Sequence, residues 1–458
     1  MGGGLMQLVA YGAQDVYLTG QPKVTFFQAV YKRHTNFAME NIQQTINGTP
    51  TNGGRVSVTI ARNGDLVGNM YVALLPTTGL NTTSTNTGAA DSCWIAERAI
   101  SAVELTIGGQ RIDKHYQTWF RLYAEVFLGE SDKIAYGKLS SLSVAPQPSA
   151  DPKTYVYLPL LFFFNRNPGL YLPLIALQYH EVRLDFDLTS YYSAYFGGNV
   201  MEVWANYIYL DTEERRRFAQ KGHEYLIEQV QHTGGDSLTL TAGSISAQTI
   251  RLSFNHPVKE LIWCYANTSS SANNSLWNFS TSCANVQVTV ASNVFSAIGV
   301  MPHEVGAPRL TCSNIFSSGT ALSSNSVGGG GVFWFEEGVP AAATAAGLGG
   351  YESGPLVNFK VILNGQDRFK EQVGKYFNQY MPLMYHTGTP YVGIYVYSFA
   401  LQPEEHQPTG TCNFSRIDNA QVAVNMKAQA TTTLQKMFAV NYNILRIQSG
   451  MGGLAFSN

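Results

Sequence analysis

Asp185 and Asp187 lie two residues apart within Glu181–Leu188, and paired carboxylates of that kind could act as acid and base on a sugar. The same segment alternates Val182, Leu184, Phe186 and Leu188 against Arg183, Asp185 and Asp187. That period of two describes a strand with one buried face, which places both aspartates on the wet face. The histidines are scattered without a His-x-x-x-His, so no metal-ligand spacing emerges. No Gly-x-Ser-x-Gly elbow is present, and the run Gly328–Gly331 lacks the Lys-Ser/Thr that would complete a phosphate cradle. No catalytic, cofactor-binding or metal-ligating residue is therefore assigned.

Other polar groups admit two readings. Arg215-Arg216-Arg217 either meets carboxylates of a neighbouring subunit or forms a solvated linker face. His34, after Lys32-Arg33, either contacts an acidic partner or lipid phosphate, or ends a strand in solvent. Asn-x-Ser/Thr triplets stand at Asn47, Asn81, Asn267, Asn273, Asn278 and Asn413. Against host glycosylation, the odd set Cys93, Cys264, Cys283, Cys312 and Cys412 has no C-x-x-C and reads as reduced thiols folded in the cytosol.

The elements that carry these groups are mostly strands. Arg55–Ile60, Lys259–Tyr265, Tyr391–Leu401 and Met437–Ile447 all read as β. Two helices are predicted. Asp113–Leu128 carries Tyr116, Trp119, Phe120, Tyr123 and Phe127 at helical spacing; Phe369–Met381 carries Phe369, Val373, Tyr376, Phe377 and Tyr380 and stops at Pro382. Their aromatics Trp119, Tyr123, Tyr376 and Tyr380 are expected to be core side chains that plug one end of each barrel. A third helix over Thr212–Lys221, capped by Asp211 with Glu214 reciprocating and supported by a Glu213–Arg217 pair, links the halves.

Each long helix follows a related motif. Ile107-Gly108-Gly109-Gln110 precedes Trp119-Phe120-x-x-Tyr123, and Leu363-Asn364-Gly365-Gln366 precedes Tyr376-Phe377-x-x-Tyr380. A strand, a tight glycine turn and a helix repeated in two halves indicate a duplicated domain. The fold expected is all-β: two consecutive eight-stranded antiparallel jelly rolls, with few helices in the connections. A chain of 458 residues accommodates two such domains.

Composition bounds the role. Charged residues are only 13%, so much of the surface is neutral, as suits packing against other subunits. A net charge of −2 lacks the basic excess needed to bind nucleic acid directly. The amino terminus has no basic region or long apolar core, and the longest apolar run, near Leu158–Phe164, is strand length.

Several blocks carry a resemblance. They are Gln7-Leu8-Val9-Ala10-Tyr11-Gly12-Ala13-Gln14-Asp15, Tyr31-Lys32-Arg33-His34-Thr35-Asn36-Phe37, and Phe164-Asn165-Arg166-Asn167-Pro168-Gly169 continuing to Tyr179-His180-Glu181. Asp211 through Gln229, and Gly410-Thr411-Cys412-Asn413-Phe414-Ser415-Arg416-Ile417-Asp418, complete the set. In this order they resemble the major capsid proteins of nucleocytoplasmic large DNA viruses. The resemblance implies a structural subunit, not an enzyme. It implies homotrimeric capsomers of pseudo-hexagonal outline, tiling an icosahedral shell with neighbouring capsomers, minor capsid proteins beneath and an inner viral membrane. The expected layout is an N-terminal arm over 1–22, a first roll over 23–211 starting with a strand at Lys23–Tyr31, a linker helix over 212–222, and a second roll over 223–458. An insertion over 267–354 is expected on the outer surface. Two rival readings are a carbohydrate-binding jelly roll and a minor capsid protein.

Overall fold

A computed structural model describes residues 35–77, 94–140, 155–238, 246–267, 355–388, 393–426 and 433–456, together with 27, 279, 286–287, 336–337 and 390. The expected strand at Lys23–Tyr31, the arm, His34, the Gly328–Gly331 run and most of the insertion lie outside these residues.

The first half contributes β1 (Phe37–Gln44), β2 (Ile46–Asn47), β3 (Arg55–Thr59), β4 (Leu66–Pro76), β5 (Ile100–Ile107), β6 (Gln110–Tyr116), β7 (Val156–Pro159), β8 (Leu172–Pro173), β9 (Val182–Leu188) and β10 (Phe196–Leu210). The second contributes β11 (His223–Leu238), β12 (Ser246–Leu252), β13 (Pro257–Asn267), the paired two-residue strands β14 (Val286–Gln287) and β15 (Glu336–Glu337), and β16 (Leu356–Leu363). After these come β17 (Gln366–Asp367), β18 (Gln372–Val373), β19 (Ile394–Ser398), β20 (Cys412–Asn413), β21 (Ala420–Met426), β22 (Thr433–Gln448) and β23 (Met451–Leu454).

The strand orders of the two halves are the same. In the first, β1-β10-β4-β7 faces β3-β9-β5-β6; in the second, β11-β22-β13-β19 faces β12-β21-β16-β17. Numbering only these eight strands in each half, both read first-eighth-third-sixth over second-seventh-fourth-fifth. Neighbours pair antiparallel throughout, as in a jelly roll.

Alternation builds each interior. Val56, Val58, Val72, Leu74, Val103, Leu105, Leu184, Phe186 and Val203 fill the first core. Leu261, Trp263, Tyr265, Phe359, Val361, Tyr395 and Val422 fill the second, where Trp263 stacks on Phe359 at 4.4 Å. Each such side chain, fully withdrawn from water, stabilises the fold by about 1.5–3 kcal/mol.

The repeated motif is the same hairpin in both rolls. Gly108 and Gly109 have φ of 57° and 83°, and Asn364 and Gly365 have 50° and 81°. Two successive positive φ values make the tight turn that matches strand twist, which Gly tolerates freely and Asn readily.

The segment after each turn differs from expectation. Residues 113–116 belong to β6, because Asp113 pairs with Leu105 and Tyr116 with Ala102; helix α1 begins only at Gln117 and runs to Phe127. Hairpin pairing won over aromatic spacing there. In the second roll the single helix Phe369–Met381 is replaced by β18, a π turn at Tyr376–Tyr380 and a helix at Met381–Tyr385. Pro382 does not stop a helix. It sits in the first turn of one, where its missing N–H has no intrahelical partner to lose.

Candidate functional site

The two aspartates do not share one environment. Asp185 is buried, and its carboxylate pairs with Arg183 at 2.8 Å and Arg55 at 3.2 Å. Asp187 is half-exposed and lies 3.7 Å from Arg55. The wet-face expectation fails for Asp185 because two long arginine side chains fold over it from its own strand and from β3.

The three linker arginines also separate. Arg215 pairs within the chain, with Asp65 at 3.0 Å, and Arg216 lies 3.7 Å from Glu213. Asp211 caps the Thr212–Gln220 helix by accepting from the Thr212 amide at 2.8 Å. Glu214 instead accepts from the Thr35 hydroxyl at 3.5 Å, so its reciprocal capping role is not realised. Asn47 and Asn413 are exposed; Asn413 accepts from the Ser415 amide.

The largest built feature is the junction between the rolls. On β13 and β22, Leu261, Trp263, Met437 and Ala439 point into the second core, whereas Ile262, Cys264, Phe438 and Val440 point out. Helix α1 covers that outer face with Trp119, Leu122 and Val126, and Trp94 and Phe279 join the cluster. The Trp119 and Phe438 rings lie 5.6 Å apart, and His232 stacks on Phe438 at 4.4 Å. Trp119 therefore does not plug a barrel end. From the same helix Phe120 enters the first core, and Phe377 enters the second. Tyr123 is half-buried, stacked on Phe127 at 4.7 Å. Tyr376 packs at the edge of the second core, and Tyr380 is 50% exposed, which corrects its assignment to a core.

The first core is itself completed from the second half: Ile227, Leu445 and Ile447 belong to it. The final strand is fastened there too. The Tyr179 amide donates to the Gly450 carbonyl at 3.0 Å, and the Leu454 amide donates to the Gln110 side chain at 3.2 Å.

Polar contacts fix the register of this apolar seam. Helix α1 ends in carbonyls that its own turns leave unpaired. The Gly388 amide donates to the Val126 carbonyl at 3.0 Å, and the Thr387 hydroxyl donates to the Phe127 carbonyl at 3.0 Å. Next to them, the buried His386 ring lies 3.2 Å from Glu260 and 3.3 Å from Glu404. Burial opposes a charged imidazole, but hydrogen bonds to the two carboxylates outweigh it and raise His386 to about 9. Deeper in, Glu228 of β11 takes Lys259 at 2.7 Å and Arg166 of the first roll at 3.0 Å. Burial pushes the Glu228 carboxyl up, and the two cations override it to hold the group below the usual range. Glu228, Lys259, Arg166 and Glu404 line an interdomain cavity of about 380 Å³ with Tyr123, Phe127 and His406.

Behind α1 lies a buried charge cluster. Arg121 sits 3.4 Å from Glu97 and 3.3 Å from Glu125, with its guanidinium 3.8 Å over the Trp94 ring; Lys133 lies 3.7 Å from Glu125. Glu97 also accepts from the Tyr136 hydroxyl at 2.7 Å. Desolvation raises the Glu97 carboxyl to about 7 despite the attraction of Arg121. No local sequence pattern announces this cluster, since its members come from three separate segments. Among the described residues, no three His, Cys, Asp or Glu side chains converge as a metal ion would require.

Two jelly rolls of one topology, welded through a buried seam, define a double jelly-roll structural protein. Comparison with known proteins narrows this. The model for the major capsid protein N-terminus matches residues 25–211, and that for the large eukaryotic DNA virus major capsid protein matches 214–453. The chain is 42% identical to the major capsid protein of Paramecium bursaria Chlorella virus 1 and 40% identical to that of Phaeocystis pouchetii virus, over the full length of each partner. A quasi-atomic model of the PBCV-1 virus capsid superposes with a TM-score of 0.73 at 38% identity, covering 95% of this chain and all of that one. The Faustovirus major capsid protein shares the fold alone, with a TM-score of 0.63 at 14% identity, covering 96% of this chain and 94% of its own. The chain belongs to the family of large eukaryotic DNA virus major capsid proteins, and its role is that of a structural capsid subunit.

Proposed function

We propose that three copies of the chain form a capsomer in which six jelly rolls give a pseudo-hexagonal outline. The observation that carries this is the identical strand order of the two rolls, fixed against one another by a buried seam. Two near-equivalent units per chain, in three copies, supply six near-equivalent edges for lateral packing. Such capsomers tile an icosahedral shell of the virion against neighbouring capsomers, with minor capsid proteins and an inner viral membrane beneath.

In this reading residues 1–22 form an arm at the capsomer base, 23–211 the first roll, 212–222 the linker helix and 223–458 the second roll. The insertion over 267–354 faces outward. The protein folds and assembles in the host cytoplasm, catalyses no reaction, needs no cofactor and does not contact nucleic acid directly. The near-neutral charge supports that last point.

Light scattering behind a sizing column tests the proposal. A stable species near three times the 50.2 kDa chain mass is the expected result. A chain that remains monomeric at high concentration would overturn it.

A further inference from the structure

The seam within the chain has a counterpart that the chain leaves uncovered. In α1, counting from the core residue Phe120, the steps to Val126 and Phe127 reach the outer face of the second roll. The same steps from the core residue Phe377 reach Leu383 and Met384, which are 78% and 58% exposed. Tyr380, the counterpart of Tyr123, lies three and four residues before them, so the three side chains share one helical face.

The receiving surface has a counterpart as well. In the second roll the covered face belongs to the sheet β11-β22-β13-β19; the matching sheet of the first roll is β1-β10-β4-β7. On that sheet Val203, Val72 and Leu158 point inward. The neighbouring row, Trp204 opposite Tyr71, points outward with both side chains only half-buried. Tyr157, also half-buried, meets Tyr71 edge to face at 5.7 Å. An aromatic sheet face and an apolar helical face, each matching one side of the intrachain seam, are thus present on one molecule. They sit on different rolls, so one chain's helix can satisfy the next chain's sheet.

We infer that the Tyr376–Tyr385 segment docks, through Tyr380, Leu383 and Met384, on the outer face formed by Tyr71, Tyr157 and Trp204 of a second copy of this chain. The contact is head-to-tail, and a head-to-tail contact repeated with the right rotation closes a ring. The inference rests on the trimer proposed above and names its joining surfaces: the interchain contact repeats the seam inside each chain.

The test compares the wild-type chain with Leu383→Glu/Met384→Glu by light scattering, with circular dichroism as the check on folding. Both positions are largely exposed, so the variant is expected to keep its fold while its mass drops threefold. A folded variant that retains the three-chain mass would overturn the docking surface and leave the trimer standing. A wild-type chain of single mass would overturn the trimer, and this inference with it. A second measurement needs no loss of assembly: a short bismaleimide reagent applied to Leu383→Cys/Tyr157→Cys. Interchain products beyond those of either single variant are expected, and their absence from a trimeric sample would refute the contact.

Discussion

The amide of Gly388 donates to the carbonyl of Val126 at 3.0 Å, so a loop of the second jelly roll caps a helix of the first. A β-carbon at 388 would come within 2.6 Å of the Glu125 carbonyl oxygen, a backbone atom that cannot yield. Gly388→Ala should therefore destabilise the chain by about 1–3 kcal/mol, in the range of a lost buried hydrogen bond. Gly109→Ala serves as the contrast. Its β-carbon meets nothing, so only the strain of a φ of 83° remains, about 1 kcal/mol. Urea unfolding of the two variants measures the difference.

His386 makes the seam sensitive to alkali. Its folded value of about 9 lies above the ordinary 6.5, so its contribution is complete below 6.5 and is lost as pH rises through about 9. A loss of stability on the order of 1–3 kcal/mol is expected across that window. His386→Gln should flatten the profile there; an unchanged profile, followed by denaturant midpoint against pH, would refute the role.

Trp119→Ala should cost about 3–5 kcal/mol, since the cavity opens in the middle of a packed seam. The loss should fall on the coupling between rolls. Calorimetry is expected to show the single unfolding transition broadening or splitting, whereas Phe359→Ala, deep in the second core, should lower stability without separating the rolls.

Arg121→Met should cost about 3–5 kcal/mol, because it leaves the Glu97 and Glu125 carboxylates buried beside an apolar side chain. Adding Glu97→Gln removes one of the two carboxylates that lost Arg121, and leaves Glu125 with Lys133. The double variant should be more stable than Arg121→Met alone, and a denaturation cycle over the four proteins reports the coupling.

The alternation of Val182, Leu184, Phe186 and Leu188 and the paired glycine turns were legible because strand period and positive φ are local properties. The helix boundary at Gln117 was not, because Tyr116 continues the aromatic spacing of α1 while its backbone pairs with Ala102. Asp185 read as solvent-facing because alternation reports which face a residue occupies, not what covers that face. Trp119 read as core for a related reason. Its apolar stripe shows that it must be buried, but the sequence does not say against which roll. The cap from Gly388 and the pairing of Arg166 with Glu228 depend on how two domains meet, and no local pattern encodes that.

Ile227, Leu445 and Ile447 close the hydrophobic interior that Val56 and Val58 begin. A ribosome makes the chain from the amino end, at roughly 5–20 residues per second, so the first roll is exposed well before its last wall exists. Its strands emerge with an apolar flank that β11 and β22 of the same polypeptide cover. The first roll therefore cannot complete its interior until residues 445–447 have been made. A nascent chain truncated before Leu445 would present that flank to chaperones instead of to β22.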